Sequence, residues 1–233
     1  MSAAFYTNEK MKKQFKAALF DLDGVVLDTE GQYTEFWGGI GQELRPDIPD
    51  FGQRIKGQTL TQIFDAWFPG DTSLQADITR RLDDFEAHMT YQYIKGVHAY
   101  VEHLRTQGIH TAIVTSSNQP KMESVYRSRP ELTALFDRIL TAEDFRESKP
   151  SPDCYLRGAA VFGLCPEECV VFEDSVNGLK AGRASGAHVI GLATTNPREV
   201  IENLCDEVID DFTSLPLIEE TEETLMGNKK GAI

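Results

Sequence analysis

Two aspartates, Asp21 and Asp23, stand one residue apart at the end of the apolar run Phe15–Leu22. Two like charges so close repel each other, and the end of a buried strand stabilises neither of them alone. Side chains two residues apart in an extended chain point to the same side. A carboxylate can attack phosphorus and carry a phosphoryl group, and a second one can move protons. The pair therefore predicts a nucleophile at Asp21 and a proton-transfer group at Asp23.

Further polar side chains follow the later apolar runs of the chain. In order they are Thr115-Ser116-Ser117-Asn118, then Lys149, then Glu173-Asp174. Ligands of open parallel sheets bind beyond the carboxyl ends of the strands, so we expect these groups to meet at one edge. An acid ahead of a helix is often only its N-cap, which is the alternative reading of Asp174.

The three carboxylates Asp21, Glu173 and Asp174 would repel one another unless a cation joined them. Hard oxygen ligands suit Mg²⁺, which keeps waters and a substrate phosphate oxygen in its shell. We therefore predict an Mg²⁺ site formed by these carboxylates and the backbone carbonyl of Asp23. A calcium loop would need glycine at its sixth position and glutamate at its twelfth, and the loop from Asp21 has neither.

The remaining groups at this edge fit the binding of a phosphoryl group. Thr115 and the amide of Ser116 are predicted to hold its oxygens, and Lys149 to reduce the repulsion between nucleophile and phosphate. Gly24 allows a tight turn that would bring amides toward the phosphate. Two roles stay open for Ser117 and Asn118, which either contact the substrate or stabilise the loop.

Alternating strand and helix patterns must position these groups. The expected strands are Phe15–Leu22, Thr111–Thr115, Arg138–Thr141, Cys169–Phe172, Val189–Ala193 and Glu207–Ile209, with helical spacing between most of them. Strands alternating with helices indicate βαβ units, and nearly continuous apolar strands indicate a sheet covered on both faces. The sequence predicts a doubly wound α/β domain with a parallel, Rossmann-like sheet.

One segment, from about Thr29 to Ile94, interrupts this alternation and contains no recognisable strand. Its helical stretches are Tyr33–Leu44, Thr59–Phe68 and Leu74–Tyr93. We predict a helical cap domain over residues 29–96, inserted into a core domain formed by residues 1–28 and 97–233. About ten N-terminal residues and the tail from Glu219 are expected to be loosely ordered.

The overall composition limits the partners of the chain. Its 233 residues carry a formal net charge of −14, which argues against nucleic acid or an anionic membrane surface as a partner. No apolar run approaches the ~18 residues that a membrane span needs. Four cysteines are too few for a disulfide scaffold. We expect a cytoplasmic, monomeric protein that binds a small phosphorylated metabolite.

The four groups of reactive residues resemble the four motifs of the haloacid dehalogenase superfamily of phosphotransferases. Asp21-Leu22-Asp23-Gly24-Val25 resembles its first motif, and the others correspond to Thr115, Lys149-Pro150 and Glu173-Asp174. Asp28-Thr29 and the run 148–153 resemble the branch that contains β-phosphoglucomutase and many sugar-phosphate phosphatases. The resemblance implies an α/β core with a cap, dependence on Mg²⁺ and an aspartyl-phosphate intermediate.

Two departures from the β-phosphoglucomutase pattern bear on the activity. Tyr33 stands where that branch has a cap histidine, and Leu60 stands where it has an arginine that can hold a second phosphate. Without the arginine, the phosphate that is not transferred loses a bidentate partner. We therefore expect a phosphatase, with a hexose phosphate mutase and a non-catalytic binding module as alternatives. Tyr33 and Lys56 are the predicted substrate contacts from the cap.

Overall fold

The computed structural model describes residues 15–215. The first ten residues and the tail from Glu219, which were expected to be loosely ordered, lie outside this range. The strands are β1 Ala17–Phe20, β2 Leu27–Asp28, β3 Gln92–Tyr93, β4 His110–Val114, β5 Arg138–Leu140, β6 Cys169–Glu173, β7 His188–Leu192 and β8 Glu207–Ile209. Among the described residues, no helix combines the length and the apolar composition needed to cross a membrane.

Within residues 15–215, ten α-helices connect and cover these strands. They are α1 Glu30–Leu44, α2 Phe51–Arg54, α3 Leu60–Trp67, α4 Thr72–His88, α5 Val97–Thr106, α6 Gln119–Ser128, α7 Leu132–Leu135, α8 Asp153–Ala160, α9 Val176–Ser185 and α10 Arg198–Ile201. The first four lie in the predicted cap segment, and the other six lie in the predicted core.

Six strands form one parallel sheet in the order β5-β4-β1-β6-β7-β8. The chain winds outward from β1 in both directions, which is the doubly wound topology that the sequence predicts. Phe20, the last residue of β1, pairs with Ile113 of β4 and with Phe172 of β6. The residues that follow these three strands are therefore brought to one edge of the sheet.

Both faces of this sheet are buried, because successive side chains of each strand alternate between them. In β1, Ala18 and Phe20 belong to one apolar cluster, while Ala17 and Leu19 belong to the other. Helices α5 and α6 contribute to the first cluster and helices α8 and α9 to the second. This two-sided burial explains why the strands read as continuous apolar runs.

The cap helices have an apolar cluster of their own. It includes Trp37 and Ile40 of α1, Ile63 of α3, and Ile78 and Leu82 of α4. Trp37, which was predicted to lie in the cap core, is 6% exposed and belongs to this cluster. Aromatic side chains of the cap also pack against the core, because Tyr33 and Phe85 contact clusters of both parts.

The prediction that the cap segment lacks strands was wrong at its C-terminal end. The predicted helix Leu74–Tyr93 ends at His88, and Gln92–Tyr93 forms β3, which pairs antiparallel with β2. A two-residue strand shows no periodicity in the sequence, so only the pairing partner reveals it. The two segments that connect cap and core thus run side by side, hydrogen-bonded to each other.

Candidate active site

A cavity of about 250 Å³ lies between the carboxyl edge of the main sheet and the cap helices. We name its two sides by the residues that line them. The core wall contains Asp21, Asp23, Thr115, Ser116, Ser117, Asn118, Lys121, Lys149, Asp174, Ser175 and Thr195. The cap wall contains Glu30, Tyr33, Thr34, Trp37, Ile55, Lys56, Leu60, Ile63, Leu82, Asp83 and Glu86, among others. Of the twelve predicted site residues, all except Gly24 and Glu173 line this cavity.

Lys149 joins two of the predicted acidic residues. Its ammonium lies 2.6 Å from Asp21 Oδ1 and 2.5 Å from Glu173 Oε1, and its side chain is 7% exposed. Burial alone would lower the pKa of Lys149, but Asp21 and Glu173 outweigh it and hold this pKa well above its usual range. Burial raises the pKa of Asp21 to about 7, although Lys149 opposes the shift. A permanent cation thus lies against the predicted nucleophile.

Glu173 lies behind the cavity and is fully buried. Its Oε1 accepts hydrogen bonds from Lys149 and from the hydroxyl of Tyr155 at 2.8 Å. Its Oε2 accepts from the amides of Asp174 and Ser175 at 3.0 and 3.1 Å. A Cβ on Gly178 would overlap this carboxylate, so glycine is required there for Glu173 to fit. Protein donors therefore saturate Glu173, and its predicted role as a metal ligand stays a prediction.

Asp174 is held differently. Thr195 donates a hydrogen bond to its Oδ2, but its buried Oδ1 has no hydrogen-bond partner among the described residues. Burial raises the pKa of Asp174 well above its usual range, with further contributions from Glu173 and Glu30. A buried acceptor without a partner is costly, and it marks a place where a ligand can bind.

The donor set fits a divalent cation. Carboxylate oxygens of Asp21, Glu173 and Asp174 lie within 4.8 Å of one another. All three are hard oxygen donors, and the unpartnered Asp174 Oδ1 would gain the partner that the protein does not supply. Lys149 offsets the charge of Asp21 and Glu173, but it is a single positive charge beside three buried carboxylates, and this imbalance supports the predicted metal site.

Gly24 lies in a tight turn directly after β1, as its sequence position predicts. Its amide donates to the carbonyl of Leu27 at 2.8 Å, and it is absent from the cavity lining. Its φ is +74°, and a Cβ there would overlap Asp174 Oδ2. Glycine is therefore needed for the turn after β1 and for the close approach of Asp174. The Gly24 amide is used inside this turn, and the predicted contact of the segment with phosphate stays a prediction.

Asp23 has three donors around its carboxylate. The hydroxyl of Thr29 lies 2.6 Å from Oδ1, and the hydroxyl of Ser117 lies 3.1 Å from Oδ2. The ammonium of Lys121 forms an ion pair with the same Oδ2. Burial would raise the pKa of Asp23, but Lys121 and these hydroxyls hold it below its usual range. The two aspartates are thus each held by a lysine of their own, Asp21 by Lys149 and Asp23 by Lys121.

The loop from Thr115 to Asn118 stabilises itself as well as lining the cavity. Thr115 accepts from the amide of Ser117 at 3.0 Å. Asn118 Oδ1 accepts from the amide of Lys121 at 3.1 Å and so caps α6. Ser116 is exposed in this loop. Ser117 thus contacts Asp23 and Asn118 caps α6, while a contact of either residue with substrate stays a prediction.

On the cap wall, Tyr33 donates its hydroxyl to Glu86 Oε1 at 2.7 Å. Burial raises the pKa of both side chains above their usual values. Burial also raises the pKa of Glu30 to about 7, with a contribution from Asp23. Lys56 lies on the same wall, 3.5 Å from the carbonyl of Thr195. Tyr33 and Lys56 therefore lie where they were predicted, alongside acidic groups that were not.

Lys121 is the main residue that the sequence analysis missed. It occupies the third position of α6, where a positive charge opposes the helix dipole. A lysine in the first turn after a strand end was therefore a usable signal. Glu30 and Glu86 gave no such signal, because they are ordinary residues of amphipathic helices until the cap is folded.

Known proteins support the architecture and the family. The family model of haloacid dehalogenase-like hydrolases matches residues 15–186. Hexitol phosphatase A of Escherichia coli is 35% identical over 183 residues, which cover 76% of this chain and 82% of that protein. A probable pseudouridine-5′-phosphatase of Saccharomyces cerevisiae is 30% identical over 206 residues, covering 75% of this chain and 81% of that protein.

A solved structure shows the same fold. The crystal structure of a family IA, variant 3 haloacid dehalogenase hydrolase of Entamoeba histolytica superposes with a TM-score of 0.76 at 21% identity. The match covers 87% of this chain and 96% of that one. The extent of the family match and the identity to the two phosphatases confirm the predicted resemblance: this chain belongs to the haloacid dehalogenase-like hydrolases.

Proposed function

We propose that the protein is a Mg²⁺-dependent phosphatase that hydrolyses a small phosphorylated sugar or sugar alcohol through an aspartyl-phosphate intermediate. One observation carries the proposal. A single cavity brings together Asp21 with its lysine, Asp23 with three donors, and Asp174 with a buried oxygen that lacks a partner. The relatives named hexitol phosphatase and probable pseudouridine-5′-phosphatase act on phosphate esters of polyhydroxylated molecules, as their names state.

In the first step an oxygen of Asp21 attacks phosphorus, and the bond between phosphorus and the leaving oxygen breaks. Asp23 gives a proton to this oxygen, so the product leaves as an alcohol. Because Lys121 and two hydroxyls hold the pKa of Asp23 low in the free protein, Asp23 takes up this proton when the substrate binds as a phosphate monoanion. Lys149 offsets the repulsion between Asp21 and the incoming phosphoryl group. Bound Mg²⁺, held by Asp21 and Asp174, would supply positive charge that stabilises the phosphoryl oxygens.

In the second step Asp23, now a carboxylate, takes a proton from water. The water oxygen attacks phosphorus, the bond to Asp21 breaks, and inorganic phosphate leaves. Thr115 and the loop that follows it line the end of the cavity where the phosphoryl group would lie. The cap covers this end of the cavity and separates the reacting groups from bulk water.

The acidic cap wall favours hydrolysis over a mutase reaction. A mutase must hold a second phosphate, and the cap wall presents Glu30, Asp83 and Glu86. The position that carries an arginine in the β-phosphoglucomutase branch is Leu60, which also lines the cavity. A second phosphate would meet negative charge there with Lys56 as the cation on the cap side.

The test is phosphate release by the purified protein with Mg²⁺, screened over sugar phosphates, sugar alcohol phosphates, nucleotides and pyrophosphate. We expect turnover on at least one sugar or sugar alcohol phosphate, loss of activity with EDTA, and recovery with added Mg²⁺. Asp21→Asn should abolish turnover, because it removes the nucleophile. Isomerisation of β-glucose 1-phosphate without phosphate release would instead support the mutase. Full turnover by Asp21→Asn would contradict the proposed intermediate.

A further inference from the structure

Lys121 is a buried cation in the cavity to which the mechanism above gives no task. It is 5% exposed and lies in the first turn of α6, where the helix dipole disfavours a positive charge. Burying an ammonium group in such a place is costly unless partners stabilise it. The identity of these partners indicates what the lysine does.

The partners come from both sides of the cavity. On the core side Lys121 forms its ion pair with Asp23 Oδ2. On the cap side its ammonium lies 4.8 Å from the centre of the Tyr33 ring, within the range of a cation–π interaction. The hydroxyl of Tyr33 in turn donates to Glu86 on α4. Asp23, Lys121, Tyr33 and Glu86 thus form one continuous chain of contacts from core to cap.

We propose that Lys121 is a positioning residue, which holds the Asp23 carboxylate in place for proton transfer and is itself held from the cap by Tyr33 and Glu86. This inference rests on the proposed function, since it concerns the group that moves protons in that reaction. In this scheme Lys121 contacts neither the transferred phosphoryl group nor the metal-binding carboxylates, and it acts through the side chain of Asp23.

The three donors around Asp23 are not equivalent. Thr29 and Ser117 are neutral hydroxyls, whereas Lys121 provides a charged and therefore stronger bond. Proton transfer requires the carboxylate to stay within hydrogen-bond reach of the leaving oxygen and of the attacking water. Without Lys121 the Asp23 side chain keeps only hydroxyl partners and can adopt other rotamers. The consequence is a lower kcat, with substrate affinity little changed.

The cap contributes to this arrangement because its residue Glu86, like Asp23 of the core, interacts with the ammonium group of Lys121. Glu86 is 8% exposed and interacts electrostatically with Lys121, while Tyr33 holds Glu86 Oε1 through its hydroxyl. If that hydroxyl is removed, Glu86 is free to pair with Lys121 and to draw it away from Asp23. The cap thus places Tyr33 and Glu86 where they hold the lysine.

The first experiment compares Lys121→Met with Lys180→Met, which removes an exposed lysine of α9. Each variant is assayed with Mg²⁺ on a hexitol phosphate and on p-nitrophenyl phosphate. For Lys121→Met we expect kcat on the hexitol phosphate to fall about 10- to 100-fold with KM nearly unchanged, within the range of proton-transfer catalysis. First-turnover release of p-nitrophenolate should keep its rate, because this leaving group needs no proton. Lys180→Met should match the wild type on both substrates.

The second experiment tests the link to the cap. Tyr33→Phe keeps the ring under Lys121 and removes the hydroxyl that holds Glu86. We expect a several-fold fall in kcat on the hexitol phosphate, restored in the double variant Tyr33→Phe/Glu86→Gln because glutamine cannot attract the lysine by charge. A purely structural role of Tyr33 would give no rescue. This pair of variants also decides the question if Lys121→Met does not fold.

Three results would overturn the inference. A rise in KM alone would make Lys121 a substrate contact. A loss in first-turnover release of p-nitrophenolate as large as the loss on the hexitol phosphate would make its role structural, and wild-type kinetics would leave it without a role. Failure of the wild type to release phosphate from any substrate would contradict the proposed function instead. In that case crystal structures of the wild type and of Lys121→Met still test the positioning role. An Asp23 carboxylate that has the same position in both structures would contradict this role.

Discussion

Both walls of the cavity carry buried acidic side chains, but the core wall and the cap wall hold them in different ways. On the core wall, Asp21 and Asp23 each have a lysine partner at close range, and Glu173 behind them has donors on both oxygens. On the cap wall, burial raises the pKa of Glu30 to about 7 and also raises that of Glu86. Burial also raises the pKa of Asp21 on the core wall to about 7, so the two walls differ in the partners of their carboxylates. Lysines beside Asp21 and Asp23 suit the chemical step, whereas the tyrosine hydroxyl that holds Glu86 on the cap wall suits recognition of a hydroxyl-bearing group.

The difference also appears in how each wall is built. The core wall stands on strand ends whose register is fixed by the sheet, since β1 is paired on both sides. The cap wall stands on helices that pack mainly on one another through their own cluster. A wall carried by a separate cluster can move without breaking the sheet, so substrate entry need not disturb the catalytic groups. The domain boundaries at residues 29 and 96 stay a prediction.

The sharpest test of the comparison replaces one carboxylate on each wall. Asp23→Asn on the core wall should lower kcat by about 10²- to 10⁴-fold, because asparagine cannot transfer the proton. Asp83→Asn on the cap wall should leave kcat within about tenfold and act mainly on KM, as expected for a binding contact. Steady-state phosphate release on one substrate measures both. A larger loss of kcat in Asp83→Asn would contradict the division between the walls.

The second test concerns space rather than charge. Gly178→Ala would drive a Cβ into the Glu173 carboxylate, so we expect destabilisation of about 1–3 kcal/mol together with loss of activity. Gly39→Ala in α1 is the matched control on the cap, since nothing lies within 4 Å of its Cβ position. It should stabilise the protein by about 0.5–1 kcal/mol through helix propensity. Chemical denaturation measures the free energy of unfolding of both variants. Equal changes would show that the core and the cap tolerate an added methyl group equally well at these positions.

A third prediction links pH and metal. The folded-state pKa of Asp21 and Glu30 is raised to about 7, above the usual values of 3.8 and 4.5. Groups shifted in this direction stabilise the fold fully below their unfolded pKa, and this contribution is lost as pH rises through about 7. The Tm of the metal-free protein should therefore fall between pH 5 and pH 8, because Asp21 and Glu30 lose their protons in the folded protein over this range.

Added Mg²⁺ should recover this loss, and more strongly at pH 8 than at pH 5, because the ion binds the charged carboxylates. Thermal melts in EDTA and in millimolar Mg²⁺ at both pH values measure the effect, with Ca²⁺ as a comparison cation. A stabilisation that is equal at the two pH values would place the ion somewhere other than the acidic cluster of Asp21, Glu173 and Asp174.

The smallest expected effect is the change in Tm caused by replacing Glu30 of the cap wall. Glu30→Gln removes a carboxylate that burial and Asp23 keep near protonation. It should raise the Tm of the metal-free protein at pH 8 by a few degrees and leave it unchanged at pH 5, where Glu30 carries a proton in the folded protein. Glu35→Gln, on the exposed side of the same helix, is the control and should change neither value. A pH-independent shift would show that Glu30 acts through packing.

Local sequence signals were sufficient for the sheet and for most of the core wall. Each strand of the main sheet was predicted within three residues at each end, because burial on both faces leaves an uninterrupted apolar run. Asp21, Thr115 and Asp174 directly follow their strands, so the topology of the sheet brings them together, whereas Lys149 lies in the longer loop after β5. The pairing of β2 with β3 escaped prediction, since strands of two residues have no period to detect.

The sequence by itself determined the doubly wound sheet, the inserted helices and the chemical types gathered at the strand ends. Only the tertiary structure decided which group holds which. Lys149 reaches Asp21 across 128 residues of chain, and Lys121 reaches Asp23 across 98. Asp174 Oδ1 lacks a partner only because the fold buries it. Spacing along a chain sets the direction of a side chain, but its charged partners and its exposure to water are fixed only when distant segments pack.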